Sequence, residues 1–314
     1  MSRRMVRDLL SGGGELPSDI LEKYIRAGEI AAKVREEIKR TVREGMLLLE
    51  VCEMVEEEIR RLGGKPAFPC NVSVNEVAAH YTSPPDDKRT IPEGALVKID
   101  IGVHIDGYIA DTATTVCFNP NYEDMTYAAE EALKNAINLM RPGMLISKVS
   151  SEIQATIERF GFKPISNLTG HEVDRYIIHS GKTIPNVSHL SMDKLRLGRV
   201  YAVEPFVTVR DAAGRVEDGS EKHIFRLVKR KNLKNPHLQK ILKFIEENFK
   251  TLPFAERWIR RYYSQGNFYR QALSDLLSSK CIMAYPVFIE ASLKPVAQAE
   301  HTVYVSRDGP VVLT

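Results

Sequence analysis

The chain is short of cysteine, of long apolar runs and of net charge, and each shortage removes a class of protein. Its four cysteines, Cys52, Cys70, Cys117 and Cys281, stand far apart with no CxxC spacing, which argues against a zinc ribbon or a disulfide framework. They read as small buried or half-buried thiols of a reducing cytosol, so a cytoplasmic location is expected. No apolar stretch approaches the roughly 18 residues that a membrane helix needs. Met1-Ser2-Arg3-Arg4 leads into no signal-peptide core. A formal net charge of +3 favours neither DNA nor a membrane surface. What is present is 43% hydrophobic content, enough to bury a full core as one large domain or one domain plus an insert.

The most informative stretch runs from Val97 to Cys117, VKIDIGVHIDGYIADTATTVC. Val97, Ile99 and Ile101 alternate with Lys98, Asp100 and Gly102, as in a strand. Asp106-Gly107 is a two-residue hairpin turn, after which the alternation resumes from Ile109 to Val116. That turn sets Asp100 opposite Ala113 and makes Asp111 its diagonal neighbour on the same face, roughly 7–8 Å away at the backbone. Two carboxylates in one space repel each other unless a cation sits between them. Either both are solvated, or a cation is bound.

A Gly12-Gly13-Gly14 leader, taken as residues 1–16, precedes a catalytic domain spanning 17–314. Ser18-Asp19 reads as the cap of a helix with Ala27, Ile30, Ala31, Val34 and Ile38 inward. A second helix turns Leu48, Val51, Val55, Ile59 and Leu62 inward and ends at Gly63-Gly64, with Glu56-Glu57-Glu58 as a solvated face. RxGML at 43–47 then returns as RPGML at 141–145, an offset of 98 residues. Val51, Ile59, Gly63, Lys65 and Pro66 match Val149, Ile157, Gly161, Lys163 and Pro164 at the same offset without a gap. GALVKID at 94–100 resembles GRVYAVE at 198–204, so Asp100 and Glu204 stand as equivalent acids on equivalent strands. The block reads as a duplication, giving a pseudo-twofold α+β domain with an acidic strand from each half facing the middle.

Other acids and imidazoles fit such a centre. His171 and His179 lie beside glycines in NLTGHEVDRYIIHSGKTIPNV, Glu204 sits in the apolar strand YAVEPF, and Gln298 and Glu300 share a strand face in AQAEHT. A carboxylate buried in an apolar strand needs a partner or a metal. Four carboxylates and one imidazole form a hard, oxygen-rich set that suits two divalent ions of the manganese, iron or cobalt kind better than one structural zinc.

FPCNVSVNEVAAHYT (68–82), KIDIGVHIDGYIADTA (98–113), NLTGHEVDRYIIHSGKTIPN (167–186), YAVEPF and AQAEHT together resemble the methionine aminopeptidases of the pita-bread fold, specifically type II. The resemblance implies five ligands to two divalent ions (cobalt, manganese, iron or zinc): Asp100, Asp111, His171, Glu204 and Glu300, with Asp111 and Glu300 bridging. It implies that His80 and His179 face the substrate, and that Phe68, Ile178 and His223 line the methionine pocket. The implied activity is removal of N-terminal methionine, before a small second residue, by a metal-bridging water whose proton Glu204 takes. Ala299 departs from the larger aromatic residue that the resemblance leads one to expect beside Glu300.

The type II assignment rests on a helical insert at 228–290, with Ile241, Leu242 and Ile245 on one apolar face and Leu273, Leu276 and Leu277 on another. Its basic residues, Lys229, Arg230, Lys231, Lys234, Lys240 and Lys243, followed by Arg257, Arg260 and Arg261, are either a solvated face or a docking surface for ribosomal RNA. A monomer acting on peptides and nascent chains is expected. Prolidase and aminopeptidase P enzymes share the ligand pattern but would need a sizeable domain where only the leader stands. A non-enzymatic relative binding RNA or protein would be expected to lose ligands.

Overall fold

The Asp106-Gly107 turn organises the centre of the molecule. In the computed structural model, which describes residues 14–263 and 268–314, these two residues take φ of 51° and 91°, the twist that a two-residue hairpin requires. Strands Leu96–Ile105 and Tyr108–Cys117 pair in the predicted register, Asp100 opposite Ala113 and Gly102 opposite Asp111. Asn71–Val74 and Lys65–Pro66 add to the other edge of Leu96–Ile105. Val97, Ile99, Ile101 and Val103 are fully buried beneath helices α1 (Ser18–Thr41) and α2 (Leu48–Arg61).

α1 buries the five apolar positions that its periodicity marks. Its start differs from expectation: Pro17 is the N-cap, no side chain caps, and Ser18-Asp19 fall in the first turn. Proline's fixed φ prepares the helical entry, and Asp19 complements the positive end of the helix dipole instead. Most of the leader lies outside the described residues. Within its last part, the Leu16 backbone N–H donates to the Tyr304 hydroxyl at 3.3 Å.

The duplication is visible residue by residue. α3 (Glu123–Leu139) and α4 (Ile146–Arg159) repeat the first pair, and both ends of α4 lie 98 residues beyond those of α2. Leu47 and Leu145 enter these helices with φ/ψ of −65°/134° and −65°/130°. Gly63 and Gly161 leave them at φ of 88° and 82°, a left-handed exit that side chains resist. In the second half Val200–Val203 lies between Thr169–Val173 and His301–Ser306, and its apolar face packs on α3 and α4.

The halves are joined along a seam of threonines. Ala113 and Glu300 exchange backbone hydrogen bonds at 3.4 and 3.1 Å. The Thr112 and Thr115 hydroxyls donate to the carbonyls of Glu300 and Gln298 at 2.8 and 2.7 Å. Thr302 Oγ1 receives the Asp111 N–H and donates to the Asp111 carbonyl, both at 2.7 Å. The backbones carrying two of the site's acids are thus clamped together.

The insert is a unit with its own core. Ile224–Leu227 pairs with Phe254–Ala255 and Ile282–Tyr285, beside α5 (Pro236–Phe249), α6 (Glu256–Tyr262) and α7 (Phe268–Ser278). Ile241, Leu242, Ile245, Leu273 and Leu276 meet in one cluster, with Leu277 at its margin. The unit therefore runs from Ile224 to Tyr285 rather than 228–290. Its edges are strands, and Phe288–Glu290 already pairs with Val216–Asp218 and Val77–Ala79 in the main body.

One surface expectation is overturned. Glu56 is not solvated: it is 2% exposed and paired with Arg257, itself 7% exposed. The Trp258 indole N–H and the Cys70 backbone N–H complete its coordination at 2.7 and 3.2 Å. Arg260 bonds Asp86, and Arg261 lies 3.5 and 3.9 Å from Glu53 and Glu57. α6 therefore docks the insert onto α2 through the buried Arg257, with Arg260 and Arg261 ion-paired at the surface.

Candidate metal centre

Each acid of the centre is placed by a break or a pairing in the backbone. Val200–Val203 stops at Glu204-Pro205 and Phe206–Thr208 begins in a different sheet, because proline donates no ladder hydrogen bond. The facing strand breaks likewise between Val296–Gln298 and His301–Ser306. The flanking pairs, Val203 with His301 and Phe206 with Gln298, set Glu204 and Glu300 across from each other at this corner. From the other half, Asp100 and Asp111 come off the central hairpin. His171 stands on Thr169–Val173, opposite Ala202.

All five line one cavity of about 390 Å³, together with His80, His179, Phe68 and Ile178. Asp111, His171 and Glu300 offer ligand atoms within 4.8 Å of one another, and all three are buried. His171 Nε2 lies 3.4 Å from Glu204 Oε1 and 3.8 Å from Asp111 Oδ2. Among the described residues, His171 is the only basic side chain within 4.0 Å of the four carboxylates.

Burial pushes the Asp100 carboxyl up to about 7, against the hydrogen bonds of Asn71 and Asp111. Burial, then repulsion between the acids, holds Asp111, Glu204 and Glu300 well above the ordinary carboxylate range. Burial and the neighbouring His179 hold His171 down to about 3. The ring is therefore neutral, and its contacts to the carboxylates are not salt bridges. Asp100 Oδ1 and Asp111 Oδ1 are buried with no hydrogen-bond partner. Crowded carboxylates with few donors, from the amides of Asn71 and Gln298, and with two oxygens unpartnered fit divalent cations.

The second expected pair is also in place. His80 takes φ of 65°, a strained value that aims its ring against Phe288 and Tyr285, with centroids 4.6 and 5.5 Å away. Burial, then His179, lowers its pKa to about 4. The exposed ring of His179 packs edge-on against His171 at 4.4 Å. Phe68 and Ile178 sit in one apolar cluster with Ile109 and Leu252.

The family resemblance places His223 in the methionine pocket, and the structure does not. The His223 ring is turned to Glu221 and Glu256, at 2.8 and 3.9 Å, while Ile224 takes the lining position. Adjacent strand residues face opposite sides, so only one of the two can reach the cleft. Asn71 was not anticipated: its amide donates to Asp100 Oδ2 at 3.2 Å. The available signal was its place in the motif before His80, which pairs it directly with Asp100. Ala299 packs in the second core and borders a separate cavity of about 220 Å³ behind Glu300, with Arg35, Leu133 and His301.

Comparison with known proteins accords with this geometry. The sequence pattern of metallopeptidase family M24 matches residues 22–232. A methionine aminopeptidase of Methanocaldococcus jannaschii is 44% identical over 293 residues, covering 93% of this chain and 98% of that protein. The solved methionine aminopeptidase of Thermotoga maritima superposes with a TM-score of 0.69 at 23% identity, covering 96% and 98% of the two chains. The prolidase of Pyrococcus furiosus reaches 0.61 at 18% identity, covering all of this chain and 73% of that one. The shared pita-bread architecture does not separate the two activities; the much higher identity to the archaeal protein does.

Proposed function

Because this chain belongs to metallopeptidase family M24, we propose that it is a methionine aminopeptidase of the type II subclass. The enzyme is a metallo-exopeptidase that hydrolyses the N-terminal methionine from peptides and nascent proteins. The observation that carries the site assignment is a cavity whose lining holds four carboxylates around the neutral His171, with no lysine or arginine among the described lining residues. Type II is supported by the Ile224–Tyr285 unit between the Glu204 and Glu300 strands.

Asp100, Asp111, His171, Glu204 and Glu300 would hold two divalent ions. Such ions, when bound, act as Lewis acids toward the scissile carbonyl and lower the pKa of water. Glu204, at the open corner with a side chain 13% exposed, takes a proton from the attacking water and returns it to the leaving amine. His80, neutral near pH 7, donates its ring N–H to the carbonyl oxygen as negative charge develops there, and His179 assists from the other wall. Phe68 and Ile178 accept the long, polarizable methionine side chain. The crowded acids require a free α-amine, and the walls around His80 restrict the second residue to small side chains.

The test is methionine release from Met-Ala-Ser against Xaa-Pro peptides, using metal-free enzyme supplemented with cobalt, manganese, iron or zinc in turn. Metal-dependent release from Met-Ala-Ser alone is expected; cleavage only of Xaa-Pro peptides would establish the prolidase reading instead.

The same reading places the enzyme, as a monomer, in the cytoplasm. No helix among the described residues is long and apolar enough to cross a membrane. For a ribosome contact, Arg257 is buried, and the exposed Arg260 and Arg261 are already ion-paired with acids. Arg230 pairs with Glu246, and Lys231 donates to the Ser279 carbonyl. Lys229, Lys234 and Lys240 are left as candidate phosphate contacts. Exchanging these three for Glu should reduce co-sedimentation with ribosomes at low salt; unchanged pelleting would dismiss the contact.

A further inference from the structure

One row of side chains leads out of the catalytic cavity and ends on a cation without an acid. Ile224 and Tyr285 stand opposite each other on antiparallel strands, and both line the cavity. Side chains alternate along a strand, so the next pair on that face is Arg226 with Met283, roughly 7 Å further on. Beyond it, Val228 is 56% exposed, so the row runs from the cavity toward solvent.

Arg226 has only neutral partners where it stands, the Tyr285 hydroxyl among them. Its Nη2 donates to Met283 Sδ at 3.1 Å, a weak acceptor, and its Nε is buried with no partner. No carboxylate lies within 4.0 Å of it among the described residues. Arg257 of the same unit shows the contrast, being matched to Glu56. A guanidinium that has neutral partners and no acid, at the lip of a peptide-binding cleft, suits a carboxylate better than any other peptide group. An extended peptide advances about 3.3 Å per residue. With methionine seated between Phe68 and Ile178, a lip roughly 7 Å beyond the lining pair falls near the third or fourth residue.

We propose that Arg226 selects peptide substrates carrying a carboxylate at the third or fourth residue, from an acidic side chain or from the free C-terminus of a short peptide. The inference rests on the aminopeptidase reading and adds a sequence preference to it.

The experiment uses metal-loaded full-length enzyme and C-terminally amidated peptides Met-Ala-Xaa-Gly and Met-Ala-Gly-Xaa, with Xaa as Glu, Gln or Lys. Met-Ala-Ser with a free or amidated terminus is added to read the second carboxylate source. The wild-type kcat/KM is expected to favour Glu over Gln about fivefold at one of the two positions, mainly through KM, and to disfavour Lys. Arg226→Gln should bring the Glu/Gln ratio to about one, and Arg226→Lys should keep part of it. Arg226→Glu should invert the preference toward Lys. Each ratio is taken within one variant, so a general loss of activity does not disguise it. A wild-type ratio of one at both positions, or a ratio that Arg226→Gln and Arg226→Glu leave unchanged, would overturn the proposal. Cleavage of the Gln peptides reports separately on the aminopeptidase reading; if no peptide is cut, that reading falls and this inference with it.

Discussion

Two groups of acids leave water in this molecule, and they are built on opposite terms. Glu56 is buried with Arg257 against it, Trp258 and Cys70 donating to it, and Arg60 at 3.8 Å. Asp100, Asp111, Glu204 and Glu300 gather around a neutral imidazole, and two of their oxygens have no partner. The first cluster is balanced within the chain and fastens the insert to α2. The second balances only when something positive arrives. Burial alone therefore does not distinguish a structural acid from a functional one; the inventory of partners does.

The sharpest test removes one charge from the unbalanced cluster. Asp111→Asn should lose most of its metal by elemental analysis and lower kcat/KM by at least about two to three orders of magnitude. The same change relieves repulsion in the metal-free protein. Its metal-free stability should rise by about 1 kcal/mol, since sites built for function are commonly kept at a cost to the fold. Full metal occupancy with normal turnover would refute the ligand assignment, and a less stable metal-free variant would refute the imbalance.

Removing a charge from the balanced cluster should do the reverse. Arg257→Met strands a buried carboxylate, and breaking a buried pair costs about 3–5 kcal/mol. Trp258, the only tryptophan in the chain, makes the docking visible by fluorescence during denaturant unfolding. Adding Glu56→Gln to Arg257→Met should recover part of the loss, and metal content should stay normal throughout. Metal loss in Arg257→Met would show that the two clusters are not independent.

The same contrast explains what could be read in the sequence. Asp100, Asp111 and Glu204 lay within reach because a two-residue turn dictates its own register and the duplication presents Glu204 as the counterpart of Asp100, whereas the full set with His171 and Glu300 came from the family resemblance. The end of α2 was legible at Gly63-Gly64, and its duplicate Gly161 closes α4, both glycines standing at positive φ. The Glu56 cluster was invisible because its partner is 201 residues away, on a short helix whose arginines resemble any solvated basic run. Glu56 also follows Glu-rich local composition while lying beside Val55 and Cys52 on the buried side of α2. His223 failed differently: the strand was not recognised, so nothing indicated which of two adjacent residues would face the cleft.

A proton is a weaker probe of the imbalance than a mutation. Asp100, ordinarily near 3.8, is raised to about 7 in the folded metal-free protein. The folded state thus holds a proton between those values that the unfolded chain has released, so this group's contribution to stability is lost as pH rises from about 4 to about 7. Burial draws His80, His104 and His301 from 6.5 to about 4, and these oppose the trend, costing stability as pH falls through that range. Metal binding must displace the carboxyl protons, so affinity should weaken about tenfold per pH unit below 7 for each proton released. Calorimetry in buffers of different ionisation enthalpy counts those protons directly. Affinity independent of pH between about 5.5 and 7.5 would mean that the acids are already ionised, and that the site is better solvated than its burial implies.

The smallest expected effect comes from a neutral donor in the balanced cluster. Trp258→Phe keeps the ring and its stacking beside Phe249, whose centroid is 5.6 Å away, but removes the N–H that reaches Glu56 Oε2 at 2.7 Å. A hydrogen bond to a charged group contributes about 1.5–3 kcal/mol. Here Arg60 already stands 3.8 Å from the same oxygen, 42% exposed and able to draw nearer, so about 1 kcal/mol should be lost in denaturant unfolding followed by circular dichroism. Metal content and turnover should be unaffected, because Glu56 still has Arg257 and the Cys70 N–H. A loss as large as that of Arg257→Met would show that the indole, not the guanidinium, fastens the insert. An increase in metal binding or activity would show instead that docking at α6 restrains the catalytic cleft.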